Sequence, residues 1–167
     1  MTEAGLEDLA LTFSLAQEVL ERAGRGSIRT VATAESCTGG LLAAALTAAP
    51  GSSTFYLGGL VTYANFLKIK ELGVPGQLLE AHGAVSQEVA EAMAIGVRDR
   101  FQSSFGISTT GVAGPGRSDS KPAGLIYVAV AGPAGTEVRR LDQDRGRHQN
   151  RVAAVRAALE LLLTALS

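Results

Sequence analysis

At 167 residues, 46% apolar and 19% charged, the chain has enough material for one enclosed hydrophobic core and reads as a single domain over residues 1–167. Fifteen basic against sixteen acidic residues leave a formal net charge of -1, which excludes a global field for drawing in nucleic acid or an anionic membrane; an anionic ligand must be gripped locally. The single cysteine, Cys37, excludes an intrachain disulfide and a multi-cysteine metal site, no apolar run reaches membrane-spanning length, and the acidic N-terminus lacks the regions of an export signal, so a cytoplasmic protein without metal or redox cofactor is expected.

In chain order, Leu6, Leu9, Leu11, Phe13, Leu15, Val19 and Leu20 approximate a helical stripe that ends at Gly24 and Gly26. Ile28 to Thr33 is short and β-branched and predicts a strand, followed by a tight loop and a helix from Leu41 to Ala49 that stops at Pro50. Phe55 to Tyr63 predicts a buried strand interrupted by Gly58 and Gly59, and Asn65 to Leu72 a short helix stopped by Gly73 and Pro75. A polar loop with a helical turn leads to Ser86, an N-cap for a helix through Val89, Met93, Val97 and Phe101, expected to be the longest and central one. Phe105 to Thr110 is another strand. Gly124 to Ala131 and Thr136 to Leu141 flank a glycine- and proline-rich turn suited to a hairpin, and Val152, Val155, Leu159 and Leu162 mark a closing helix. The alternation predicts an α/β fold, three-layer α/β/α, with a mixed, mainly parallel five-stranded sheet; the late hairpin requires at least one antiparallel strand.

Three segments carry chemistry. Thr33-Ala34-Glu35-Ser36-Cys37-Thr38-Gly39-Gly40 sets a serine between a strand and a helix N-terminus, where free N–H groups can donate to a capping Ser36 or Thr38 hydroxyl, or else to an oxyanion or phosphate. Glycines are missing where a nucleophile elbow needs them, which disfavours an ordinary α/β-hydrolase. In the second segment Tyr63 stands at a strand end and Lys68 early in a helix; the lysine is either solvated beside Lys70 or, if buried, a neutral general base. The third, Thr109 to Ser118, spaces Gly111 and Gly116 like a phosphate loop but has Arg117 in place of the lysine and Pro122 where a helix should follow, so a rigid turn and a ligand cradle both remain and an NTPase is rejected.

Together with Leu72-Gly73-Val74, Gly83-Ala84-Val85-Ser86 and Lys121-Pro122-Ala123-Gly124, these segments resemble, in order and from about Ile28 onward, the CinA C-terminal domain family, also known as the nicotinamide-nucleotide amidase family. Larger CinA proteins carry a further N-terminal domain, and this chain looks like the stand-alone amidase form. The resemblance implies hydrolysis of the carboxamide of nicotinamide mononucleotide to nicotinic acid mononucleotide and ammonia, a step of pyridine nucleotide recycling. It implies Ser36 as nucleophile, Lys68 as base and Tyr63 as a relaying or orienting hydroxyl, with Thr110 near the substrate. The chain departs from many relatives in having Arg145-Gly146-Arg147 where they have Gly-Asp-Arg.

Cys37, beside Ser36 at the same helix end, is the alternative nucleophile. The expected phosphate contacts are backbone around Gly39 and Gly40, or around Gly111 and Gly114, together with Arg147, whose planar fork suits phosphate; Arg145 is a weaker candidate. A non-catalytic nucleotide-binding or regulatory module is the competing reading. The alanine-rich helices fit either internal core or a contact face; a homo-oligomer is expected, with neither nucleic acid nor membrane as partner.

Overall fold

The computed structural model describes residues 3–118 and 120–167, with side chains from residue 12 onward. The chain runs α1 (Glu3–Ala23), β1 (Val31–Glu35), α2 (Leu41–Ala48), a 3-10 turn (Ser52–Thr54), β2 (Tyr56–Val61), α3 (Asn65–Leu72), α4 (Gly76–His82), α5 (Gln87–Phe101), β3 (Phe105–Gly111), β4 (Leu125–Gly132), β5 (Gly135–Asp142) and α6 (Arg147–Ala165). The strands form one sheet in the order β2-β1-β3-β4-β5. β1 pairs in parallel with β2 and β3, whereas β4 is antiparallel to both β3 and β5, so four strands share a direction and β4 alone is reversed. The expected mixed α/β sheet is therefore present, and the Gly132 to Gly135 turn closes the expected hairpin.

Helices α1, α2 and α6 cover one face and α5, with α3 and α4 outside it, covers the other. Leu42, Leu46, Ile107, Val128, Leu159 and Leu162 fill the first layer, and Ala32, Ala34, Val89, Met93 and Val97 the second. Arg22 and Arg29 donate to the Leu163 and Leu166 carbonyls and tie the start of the chain to the last turn of α6, where orphan acceptors need donors. Among the described residues no helix is long and apolar enough to cross a membrane.

The departures from expectation have local causes. β1 begins three residues later than predicted and reaches Glu35, because Ile28 is exposed and Thr30 is instead tied to Ser104; all five strand residues are buried. β2 is a sheet edge rather than a buried strand, with exposed and half-buried positions alternating. Ser86 caps α5 as predicted by accepting from Val89 N–H, but α5 has 15 residues against 21 in α1, so it is not the longest helix. The Leu6, Leu9 and Leu11 side chains of the predicted stripe lie outside the described residues.

α5 lies close to its neighbours because its contact points are small. Ser108 donates to the Ala90 carbonyl at 2.6 Å, and a Cβ placed on Gly96 would stand 2.0 Å from the Leu72 carbonyl oxygen. Gly96→Ala would gain about 1 kcal/mol of helix propensity. The clash should outweigh that gain and leave the variant about 1–3 kcal/mol less stable, read as a lower urea midpoint at unchanged slope.

Candidate active site

The first strand leads to β2 on one side, and the chain then crosses over β1 through α5 to reach β3 on the other, which makes the carboxyl ends of β1 and β3 a switch point where α/β sheets hold ligands. A cleft of about 260 Å³ opens there, lined by Ser36, Cys37, Tyr63, Lys68, Thr110, the Gly111 to Ser118 loop and Arg147. Residues far apart in sequence thus meet at one end of the sheet.

Glu35, the last residue of β1, decides how the Ser36 turn is built. Its side chain is 1% exposed, and its carboxylate accepts hydrogen bonds from the Thr38 hydroxyl at 2.6 Å and from the N–H groups of Gly40, Leu42 and Ala43 at 3.0, 3.1 and 2.8 Å. These are the donors that a helix start leaves unpaired, and a buried carboxylate there is favoured by charge and dipole alike. Ser36 and Thr38 therefore do not cap α2, whose N-cap position is Gly40 with no side-chain cap. Gly39 N–H donates to the Ser36 carbonyl at 3.1 Å, and Arg151 donates to the Thr38 carbonyl at 2.6 Å. Gly39 and Gly40, expected to hold substrate phosphate, are not among the residues lining the cleft, and their N–H groups donate to the Ser36 carbonyl and the Glu35 carboxylate. The sequence signal for Glu35 was the bare glycine pair before the helix, a start without a side-chain cap of its own.

With the helix end occupied, the Ser36 side chain is free to meet Lys68. The Lys68 Nζ lies 3.2 Å from Ser36 Oγ and donates to the carbonyls of Thr62 at 2.8 Å and Tyr63 at 3.3 Å. Lys68 is 1% exposed and belongs to the first turn of α3, an unfavourable place for a cation. Burial lowers its pKa to about 8, with the Cys37 site acting weakly in the other direction. In the neutral amine two N–H bonds go to the two carbonyls and the lone pair is left for the Ser36 hydroxyl proton. The solvated alternative for Lys68 is excluded.

Cys37 lines the same cleft but is buried, and desolvation pushes its thiol up to about 12, so it is protonated at neutral pH and unsuited to attack. Tyr63 is 58% exposed at the cleft rim. Its hydroxyl accepts from Arg147 at 3.4 Å, while its contact with Lys68 is through the backbone carbonyl. Thr110 is buried and its hydroxyl donates to the Ala84 carbonyl at 2.7 Å, fastening the turn before α5 to the cleft wall. Lys121 fastens the same turn from outside by donating to the carbonyls of His82 and Val85.

Gly111 and Gly114 both line the cleft, and Gly114, at φ +91, offers its carbonyl to Arg147 at 2.8 Å. Arg147, the first residue of α6, stands at the cleft mouth, whereas Arg145 pairs with Gln143 and lies outside the cleft. Asn150, unremarked in the sequence, is 2% exposed and ties two loops to α6, donating to the Ala113 carbonyl and Asp144 and accepting from Arg145 N–H.

The fold and its cleft define a three-layer α/β/α domain with a serine–lysine pair at the sheet's switch point. Residues 12–166 match the CinA C-terminal domain, and the chain belongs to that family. It is 52% identical over 152 residues to a CinA-like protein of a Synechococcus species, covering 89% of this chain and 36% of that protein. A CinA-like protein of Gloeobacter violaceus is 52% identical over 136 residues, 80% of this chain and 32% of its own. The chain thus spans about a third of the length of these relatives. Among solved structures it is similar to the competence/damage inducible protein CihA from Agrobacterium tumefaciens, with a TM-score of 0.86 at 41% identity over 93% of this chain and 95% of that one. A competence or damage-inducible protein from Enterobacter asburiae superposes with a TM-score of 0.89 at 33% identity, over 93% and 98% of the two chains.

Removing the Glu35 carboxylate would leave four donors without their acceptor. Glu35→Ala is expected to lose about 2–4 kcal/mol of stability, measured by urea unfolding, with Glu35→Gln losing less because one acceptor oxygen remains.

Proposed function

We propose that the chain is a nicotinamide-nucleotide amidase, hydrolysing the carboxamide of nicotinamide mononucleotide through Ser36. The observation that carries this reading is the approach of the buried Lys68 amine to Ser36 Oγ, with two backbone carbonyls orienting the amine. A merely nucleotide-binding module has no use for a desolvated lysine aimed at a serine, since burying an amine is costly unless its altered basicity is employed.

Neutral Lys68 takes the Ser36 proton as Oγ bonds to the carboxamide carbon. The Cys37 N–H, which follows the nucleophile, would hold the oxyanion. Collapse breaks the C–N bond, the Lys68 ammonium returns its proton to the departing amine, and ammonia leaves. Water activated by the same amine then cleaves the Ser36 ester and releases nicotinic acid mononucleotide. Tyr63 acts through its backbone carbonyl on Lys68 and through its hydroxyl on Arg147, in place of a direct relay between Ser36 and Lys68.

Ser36→Ala and Lys68→Ala should each abolish most ammonia release while the far-ultraviolet spectrum stays native; ordinary turnover by either folded variant removes that residue from the mechanism. Because the base works unprotonated, kcat/KM should rise with pH and level off above about 8, the value to which burial lowers Lys68. A profile flat from neutrality upward would contradict Lys68 as the base.

The same reading puts the ribose phosphate at the mouth, because the Glu35 carboxylate already occupies the start of α2. Arg147 and the Gly111 to Ser118 loop are the donors left for it. Arg147→Ala should raise KM for the mononucleotide by at least about tenfold, the worth of one charge-assisted hydrogen bond, and barely change that for the phosphate-free riboside. Equal effects on both substrates would reject the phosphate contact.

A further inference from the structure

β3 carries three hydroxyl residues in a row, Ser108, Thr109 and Thr110, each exposed by 1% or less. Buried hydroxyls need partners, and alternation along a strand sends successive side chains to opposite faces of the sheet. Ser108 and Thr110 take the α5 side, donating to the Ala90 carbonyl at 2.6 Å and the Ala84 carbonyl at 2.7 Å. Thr109 takes the other side, where its hydroxyl lies 2.7 Å from that of Thr38. The direction of that bond is fixed by the next one. Thr38 has a single hydroxyl proton and gives it to the Glu35 carboxylate at 2.6 Å, so Thr109 is the donor and Thr38 the acceptor. The main chain of Thr109 is engaged as well: its carbonyl accepts from Ser36 N–H at 2.9 Å, carrying the β1–β3 ladder one residue past Glu35, the strand partner of Thr109.

We propose that Thr109 is a positioning residue for the amidase reaction, holding the chain on both sides of Cys37 so that the Cys37 N–H stays aimed at the oxyanion. This rests on the reading of Ser36 as the nucleophile. Thr109 grips Ser36 through its carbonyl and Thr38 through its hydroxyl, and Cys37 is the one residue between those two fixed points. An oxyanion donor works through a direction set before the reaction begins, so a peptide free to swing would lose most of its effect. The Ser36 N–H is itself spent on the Thr109 carbonyl, which leaves the stabilising role to the next N–H along the chain. Any residue at position 109 could supply the carbonyl; the hydroxyl is what threonine adds. Valine has the same branched shape and would fill the same buried space with no hydroxyl to satisfy, so packing alone gives no reason for threonine there.

Steady-state ammonia release from nicotinamide mononucleotide by Thr109→Val, Thr109→Ser, Thr38→Val and the Thr38→Val/Thr109→Val double variant tests this, each protein first checked for native circular dichroism. Thr109→Val should lower kcat by about 10–100-fold, the scale on which misplacement of a reacting group acts. KM should stay within about twofold of the wild type, because the interaction lost belongs to the transition state. The pH at which kcat/KM levels off should not move, since Lys68 and its carbonyls are untouched. Thr109→Ser, which keeps the hydroxyl and loses only the methyl, should restore kcat to within about threefold of the wild type, well inside that 10–100-fold range. In the Thr38→Val background, Thr109→Val should cost nothing further, because the hydroxyl has lost the acceptor through which it acts. An ordinary kcat in folded Thr109→Val, a loss that falls on KM, a serine variant as slow as the valine, or additive losses in the double variant would each overturn the positioning role while leaving Ser36 as nucleophile. A wild type that releases no ammonia would overturn the amidase reading and this inference with it.

Discussion

The carboxylate of Glu35, buried at the end of an interior strand and holding the first N–H groups of the next helix, is the interaction on which the site depends. A buried carboxylate is tolerated only when its lone pairs are satisfied, and here four donors converge on it, three of them from a helix end whose dipole favours negative charge. The consequence is a division of labour between adjacent residues. Glu35 takes over the capping that Ser36 or Thr38 would otherwise perform, and Ser36 is released toward Lys68. The same arrangement uses up the helix end as an anion site, so under the proposed function an anionic substrate would be held across the cleft, where Arg147 stands.

The second constraint is an amine taken out of water. Lys68 is surrounded by two carbonyls and a hydroxyl with no carboxylate among its hydrogen-bond partners, so the desolvation that lowers its pKa to about 8 outweighs the opposing effect of the Cys37 site. The carbonyls belong to the residues that leave β2, so the end of an edge strand sets the direction of the amine. Under the proposed mechanism, strand geometry and proton transfer are linked through those two acceptors. Thr110 and Lys121 extend the same economy to the opposite wall: each spends its donor on a carbonyl of the turn before α5 and keeps Ala84 and Val85 against the cleft.

Much of this was legible in the chain itself, because helix periods, caps and turn residues act over a few positions. Asn65 to Leu72 is a helix with the predicted bounds, Ser86 caps α5, and the glycine-rich turn at 132–135 closes a hairpin. The resemblance to a known family brought Ser36, Tyr63, Lys68 and Thr110 forward together, with Arg147 as an expected phosphate contact, and all five line one cleft. Only the tertiary structure decided which donors and acceptors in that group remain free. Gly40 N–H goes to Glu35, the Tyr63 hydroxyl faces Arg147, Arg145 turns to Gln143, and Cys37 is sealed as a neutral thiol. Each of these depends on residues brought together by the order of strands in the sheet, and strand order is set by long-range packing that no local pattern encodes. The edge position of β2 is the plainest case: an apolar run reads as a buried strand in isolation, and its exposure follows from there being nothing beyond it in the sheet.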